Sequence, residues 1–307
     1  SQFLNFAPNL ELSNGANLSA KYLTLTQSSV INFTNSTAQI DNLVVKEMSN
    51  LNVKITLDNS SKFEVKESFT FDKSNFNLND LQSNTLTLPA EYNLYALNGS
   101  QITATNFTNS KANAEFLLDN STFTATSASF KSAKFDLQNG ANFNADSLNF
   151  GEQSTLVLND KATLTLKNGL QAQNLNLNLS NSSTLKAKTL TSNGASTINL
   201  NDKATLTLTD TFTSENLTLM LANASTFKAN TLNASGVFDL LGDENSSATL
   251  DTLTLNGEKA TLNAKANITN LNLNNVKETT IGENVAISTL NLTQSNANLQ
   301  DLGANLP

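Results

Sequence analysis

The 307-residue sequence contains no cysteine, no histidine, no tryptophan and no arginine, so all 18 basic residues are lysine. The absence of cysteine excludes disulfides, thiolate metal sites and cysteine nucleophiles. Without histidine as well, neither a Ser-His-Asp nor a Cys-His catalytic arrangement is possible within the chain. The sequence has no Gly-rich phosphate loop, and its densest acidic cluster (Asp239, Asp243, Glu244 and Asp251) lacks the ligand spacing of a calcium loop. We therefore predict no catalytic site, no cofactor and no bound metal.

Long apolar runs and positive charge are also scarce. No stretch approaches the roughly 18 apolar residues of a membrane helix, and no signal peptide opens the chain. The net charge of −8 disfavours nucleic acid and anionic membrane surfaces as partners. Repeat units run close to both Ser1 and Pro307, so we expect this chain to be a piece of a longer protein that continues beyond Pro307.

Asparagine and an internal repeat are abundant instead. The residues Asn159–Leu166 return unchanged as Asn201–Leu208, and the segment 174–190 returns in similar form at 216–232. Each block of 42 residues splits into two similar units of 21 residues. Aligned units give two apolar columns: Leu156, Leu177, Ile198 and Leu219, and Leu164, Leu185, Leu206 and Phe227. A fixed period of about 20 residues is typical of a solenoid.

The pattern inside each unit predicts which solenoid this is. Runs such as LVL, LTL and LNLNL alternate apolar and polar residues, which is the period of a strand with one buried face. Because no helical spacing separates these strands, each strand should stack on its equivalent in the next unit. We predict an all-β fold, a right-handed, three-faced parallel β-helix. Apolar anchors followed by Asn or Asp from Leu12 to Leu299 predict about 15 coils of 19–21 residues in one domain, 1–307.

The recurring Asn or Asp has a conformational explanation. The chain must bend after a strand, and Asn and Asp tolerate the left-handed conformation and bond nearby backbone. Stacked Asn amides can also bond from coil to coil. The unit that contains Pro89 departs from the regular repeat and places Tyr92 close to Tyr95 in the sequence. These tyrosines form a secondary candidate interface, although a structural kink at Pro89 explains the same residues.

The residues beside the inward columns should point outward and form the main candidate interface. They are Thr163, Thr184, Thr205 and Thr226, the adjacent Thr165 and Thr207 with Lys186 and Lys228 between them, and Asn176, Thr197 and Thr218 on another strand. Such rows could sum many weak hydrogen bonds between two chains lying side by side. The strand propensity of Thr explains the same rows without any binding.

Degenerate coils, Asn-rich turns, outward Thr and Asn, the absence of cysteine and an acidic balance together resemble the passenger domain of a Gram-negative autotransporter. The AIDA and pertactin-like group of self-associating adhesins is closest in character. The resemblance implies an extracellular location at the bacterial surface, with the signal peptide and the membrane β-barrel outside this chain. It implies adhesion, with a second copy, a host-cell surface or a matrix ligand as partner.

Two alternative functions share this architecture. Vacuolating-toxin passengers are built in the same way, so a secreted toxin subunit is one alternative. Polysaccharide-acting β-helix enzymes are the other, but such hydrolases use paired carboxylates, and no such pair stands outside the predicted turns. The lyases rely on an Arg or Lys base with calcium-binding acids, and this chain has no arginine. We therefore predict that the chain is not an enzyme.

Overall fold

The computed structural model describes residues 3–5, 9–25, 30–46, 54–57, 62–72, 75–77 and 93–296. Over these ranges the regular structure consists of β-strands, without an α-helix. The strands pair in parallel and stack as a β-solenoid of about 11 turns. The predicted fold class is therefore confirmed. The turns are fewer than the 15 coils predicted, and the predicted anchors Leu78 and Leu299 lie outside the described residues.

The chain divides into two compact units, Ser1–Ala145 and Asp146–Pro307. The strands that begin in the first unit are β1 (Phe3–Asn5), β2 (Asn9–Leu12), β3 (Asn17–Leu25), β4 (Val30–Phe33), β5 (Thr37–Lys46), β6 (Lys54–Leu57), β7 (Lys62–Asp72), β8 (Asn75–Asn77), β9 (Asn93–Leu97), β10 (Gln101–Asn109), β11 (Ala114–Asp119), β12 (Thr122–Phe130), β13 (Ala133–Gln138) and β14 (Asn142–Phe150). Those of the second unit are β15 (Ser154–Leu158), β16 (Thr163–Gln173), β17 (Leu175–Leu179), β18 (Thr184–Ala187), β19 (Thr189–Leu200), β20 (Thr205–Leu221), β21 (Thr226–Gly242), β22 (Ser247–Asn263), β23 (Ala266–Asn274), β24 (Glu278–Ile281) and β25 (Val285–Thr293).

Each coil of the second unit contains three strand segments. In its first coil these are residues 154–158, 163–166 and 169–173, which we name the first, second and third segments. Equivalent segments of successive coils pair in register, and their inward side chains form the core. The predicted column Leu156, Leu177, Ile198 and Leu219 is paired in this order and fully buried. The predicted column Leu164, Leu185, Leu206 and Phe227 is confirmed in the same way.

The two units fill their cores differently. The first unit packs phenylalanines against one another, as with Phe116 and Phe135, whose stacked rings lie 4.6 Å apart, and Phe107 and Phe123, whose rings meet edge to face at 5.2 Å. The second unit relies mainly on leucine. Aromatic pairs add a geometric preference to the area they bury, so the first unit gains directional packing that leucine cannot provide.

Asn and Asp occupy the bends, as the sequence predicts. Nine residues of the predicted Asn/Asp series have positive φ angles between 47° and 58°: Asn14, Asn35, Asn98, Asn120, Asn139, Asp160, Asn181, Asp202 and Asn223. Asp243, which was predicted in the same series, does not have a positive φ angle. This is the left-handed region, which Asn and Asp occupy more readily than other non-glycine residues. Coil-to-coil amide bonds are also present, since Asn181 Nδ2 donates to Asn159 Oδ1 at 2.8 Å and Asn223 Nδ2 to Asn201 Oδ1 at 2.8 Å.

The Asn signature does not mark a single column through the first unit, contrary to the prediction. The bend at Asn35 follows β4, which pairs with β2 and β6. The bend at Asn98 follows β9, which pairs with the second half of β7 and through it with the second half of β5. The bend has therefore moved to a different junction of the coil. Any junction between two strand segments can hold a left-handed residue, so the signature identifies a bend without identifying its column.

One predicted anchor is displaced by a single residue. Leu240 pairs with Leu219 and is fully buried, whereas Leu241 pairs with Met220 and lies partly exposed on the outer face. The inward position opposite Leu221 belongs to Gly242, where an added Cβ would lie 3.3 Å from the Leu221 Cβ. The coil that holds Leu241 therefore has a glycine where the prediction required an apolar side chain.

Candidate interaction surface

The first predicted column forms an unbroken outward threonine ladder on the second segments. Thr163 pairs with Thr184, Thr184 with Thr205, and Thr205 with Thr226. The Oγ1 atoms of Thr205 and Thr226 lie 3.2 Å apart, within hydrogen-bond distance. Paired strands lie about 4.8 Å apart, so hydroxyls of neighbouring coils can reach one another. At Thr205 and Thr226 the hydroxyls therefore use part of their hydrogen-bonding capacity within the ladder.

The adjacent column on the second segments is charged. Thr165 pairs with Lys186, Lys186 with Thr207, and Thr207 with Lys228. Both lysines are exposed, so this face presents a positive charge on every second coil. Two copies meeting through this face would bring like charges together.

The predicted column on the first segments is polar and ends at an acid. Asn176 pairs with Thr197, Thr197 with Thr218, and Thr218 with Asp239. The neighbouring outward column contains Met220, which is 39 % exposed. This face therefore mixes hydroxyls, amides, one carboxylate and apolar groups, and its composition changes along the coils.

The third segments carry the most uniform surface, which the sequence analysis missed. In six successive coils every outward position of two adjacent columns is Thr or Asn. We name these twelve residues the Thr/Asn face: Thr189 and Thr191, Thr211 and Thr213, Thr231 and Asn233, Thr252 and Thr254, Asn270 and Asn272, and Thr289 and Asn291. The sequence signal is a triplet with Thr or Asn at its first and third positions: Thr-x-Thr in three coils, Thr-x-Asn in two and Asn-x-Asn in one.

Hydrogen bonds run along part of the Thr/Asn face. Asn291 Nδ2 donates to Asn272 Oδ1 at 2.8 Å, and Asn272 Nδ2 donates to Thr254 Oγ1 at 3.3 Å. At the start of the face, a Cβ added to Gly169 would lie 2.8 Å from the backbone oxygen of Thr189. Glycine at this position allows the two coils to approach closely where Thr189 begins the Thr/Asn face.

Tyr95, the described member of the secondary candidate pair, lies on β9 in the first unit; Tyr92 and Pro89 lie outside the described residues. Its hydroxyl donates a hydrogen bond to Glu115 Oε2 at 2.5 Å. Partial burial, and then this bond to a carboxylate, raise the pKa of Tyr95 to about 12. Tyr95 pairs with Leu117, which in turn pairs with Asp136. Burial also raises the pKa of the Asp136 carboxyl.

Of the acidic cluster, Asp243 and Glu244 lie at the turn between β21 and β22, whereas Asp239 and Asp251 lie in those strands. Asp243 accepts backbone N–H bonds from Asn223 at 2.6 Å and from Ser246 at 2.8 Å. These donors, that of Asn223 foremost, hold the pKa of Asp243 below its usual range. Over the described ranges no group of three His, Cys, Asp or Glu residues is placed to hold a metal ion. No helix within those ranges is long and apolar enough to cross a membrane.

The fold and its surface together define the class of this protein: it is a parallel β-solenoid, and its second unit presents polar ladders on its outer faces. No protein family, curated protein or solved structure shows a significant match to the chain. Of the predicted site residues, the structure places Thr163, Thr184, Thr205 and Thr226 in one ladder, and Asn176, Thr197 and Thr218 in another on a different face.

Proposed function

We propose that this chain is the extracellular passenger of an autotransporter-type surface protein and acts as an adhesin. It attaches the cell to other cells, to copies of itself, or to a host or matrix ligand through the outward polar faces of its β-solenoid. The observation that carries the proposal is the series of paired outward Thr and Asn columns, repeated coil after coil in the second unit. The resemblance to adhesin passengers noted from the sequence supports the same function.

The energetics of such ladders favour attachment through many weak contacts. A neutral hydrogen bond between two proteins replaces hydrogen bonds to water, so its net contribution to the binding free energy is only about 0.5–1.5 kcal/mol. The described outward columns lack a cluster of aromatic anchors, which dominate the energy of tight interfaces. A single contact should therefore be weak. Many copies on one surface would convert later contacts into intramolecular events and so raise the overall avidity.

Bead assays test the proposal directly. The chain has no cysteine, so one cysteine appended at a terminus allows the whole protein to be coupled to beads in one orientation. We expect coated beads to clump with one another or to attach to host cells or matrix-coated wells. The matched control is the Leu206→Asp variant, which places a charge in the core and should lose both activities with the fold.

The pattern of clumping and attachment distinguishes the possible partners. Clumping between coated beads alone indicates self-association, and attachment to cells or matrix indicates a heterologous ligand. Folded, densely coated beads that neither clump nor attach would overturn the proposal. Soluble chain that damages host cells without attaching beads to them would favour the toxin-subunit alternative instead.

A further inference from the structure

We infer that the Thr/Asn face is the surface through which two copies of this chain associate, with their coils running in opposite directions. This inference rests on the proposed adhesin function and names both the partner and the face. On this inference the ladders that begin at Thr163 and Asn176 are not the contact surface, because the Thr/Asn face satisfies the physical requirements of self-association better.

The first requirement is that the face carries no charge. Each copy has a net charge of −8, so two copies repel unless the contacting surfaces lack like charges. All twelve residues of the Thr/Asn face are neutral. The second segments carry Lys186 and Lys228, and the first segments carry Asp239.

The second requirement is self-complementarity. In a two-fold contact the same patch meets itself, so its chemistry must match its own. A Thr hydroxyl and an Asn amide each donate and accept hydrogen bonds. A face made of these two residue types can therefore pair with a second copy of itself, whereas a face with a single sign of charge cannot.

Charges at the rims of the face determine the orientation. Lys188, Asp210 and Asp251 directly precede the third segments, and Glu215 lies at the opposite rim in the coil of Asp210. If two copies lay parallel, Asp210 of each would face Glu215 of the other and the carboxylates would repel. In the antiparallel arrangement each rim faces itself. A register that sets the coil of Thr189 against the coil of Thr252 then places Lys188 opposite Asp251 of the second copy.

The size of the face predicts a weak contact. Six coils about 4.8 Å apart and two columns about 7 Å apart would bury on the order of 400 Å² per copy, about half of a standard interface. We therefore expect the chain to be largely monomeric in dilute solution and to associate when many copies are displayed together.

Three sets of lysine substitutions locate the contact face in the bead assay. The test variant is Thr191→Lys, Thr213→Lys and Thr254→Lys, which puts like charges on the Thr/Asn face. The matched control is Thr103→Lys, Thr108→Lys and Thr124→Lys, at exposed outward positions of β10 and β12 in the first unit. We expect the test variant to slow clumping at least about tenfold, because like charges would face one another, and the control to clump as the parent does.

A third variant with Thr184→Lys, Thr205→Lys and Thr226→Lys tests the rival ladder. If it stops clumping while the test variant, shown folded by circular dichroism, clumps like the parent, the inference is overturned and the adhesin proposal survives. If the parent itself does not clump at any coating density, self-association fails altogether. The two failures are therefore distinguishable.

Charge reversal at the rim tests the orientation. Lys188→Asp alone and Asp251→Lys alone should each slow clumping by about two- to fivefold, because each sets like charges opposite one another at an exposed site. The double variant restores an opposite-charge pair and should clump at a rate close to the parent's. If the two single effects simply multiply in the double variant, the antiparallel register is wrong.

Discussion

At the scale of single residues, the bends explain why asparagine is so common in this chain. Nine of the predicted Asn and Asp residues have left-handed backbone conformations, and several of their amides bond to the neighbouring coil. The residue that follows can be left-handed as well: Lys161 has φ 64° and Ala224 has φ 62°. The sequence predicted the first left-handed position but not the second, because Lys and Ala have no preference for this conformation that a pattern could reveal.

Ala224 provides a test of this backbone assignment. A non-glycine residue in the left-handed region costs roughly 1 kcal/mol or more, and glycine removes that cost. We expect Ala224→Gly to raise the free energy of unfolding by about 0.5–1 kcal/mol after the extra chain entropy of glycine is subtracted. The control is Ala222→Gly, two residues earlier, where φ is not positive; it should lower stability by about 0.5–1 kcal/mol. Equal effects in chemical denaturation would contradict the assignment.

The raised pKa of Tyr95 should make the stability of the fold depend on pH. Its pKa is raised from the ordinary 10.0 to about 12 by partial burial and by the bond to Glu115, so the folded state favours the neutral phenol. The stabilisation is complete below pH 10 and is lost as the pH rises from 10 towards 12. A tyrosinate absorbance titration should show one late step that disappears in Tyr95→Phe. In Glu115→Gln that step should move to lower pH without reaching 10, because the burial remains.

At the scale of strands and coils, the alternation of apolar and polar residues predicted most of the fold. The columns through Leu156 and Leu164 and their register are confirmed, since a slip of one residue would turn every side chain to the opposite face. The bend position in the first unit and the anchor at Leu241 were wrong, because the Asn signature and the apolar run both admit neighbouring registers. The Thr/Asn face was missed, because its Thr-x-Thr triplets resemble any half-buried strand.

Neighbouring substitutions in β20 test this register. Leu206 is fully buried between Leu185 and Phe227, so Leu206→Asp puts an unpaired charge in the core and should cost more than about 4 kcal/mol. Thr207 points outward between Lys186 and Lys228, so Thr207→Asp should change stability by no more than about 0.5 kcal/mol. Similar losses for the two variants in thermal unfolding would show that the faces are misassigned.

At the scale of the whole molecule, the proposed function depends on repetition. The solenoid repeats an outward position on successive coils, so one favourable residue type becomes a column and two adjacent columns become a face. In the second unit the first and second segments carry charges, and further charges lie at the rims of the Thr/Asn face, but the face itself is neutral. On the proposed mode of association, this neutral face is where two acidic copies approach with the least repulsion, and their weak hydrogen bonds add up when many copies are displayed.

Cysteine cross-linking tests whether two copies meet through the Thr/Asn face, and it is possible because the chain has no cysteine of its own. Thr213→Cys places one thiol within the Thr/Asn face, Thr207→Cys places one on the neighbouring face, and Thr124→Cys places one in the first unit. Each variant is cross-linked with a short bismaleimide at high concentration. We expect a covalent dimer from Thr213→Cys and little from the other two variants. Efficient dimer formation by Thr207→Cys, with none by Thr213→Cys, would contradict it.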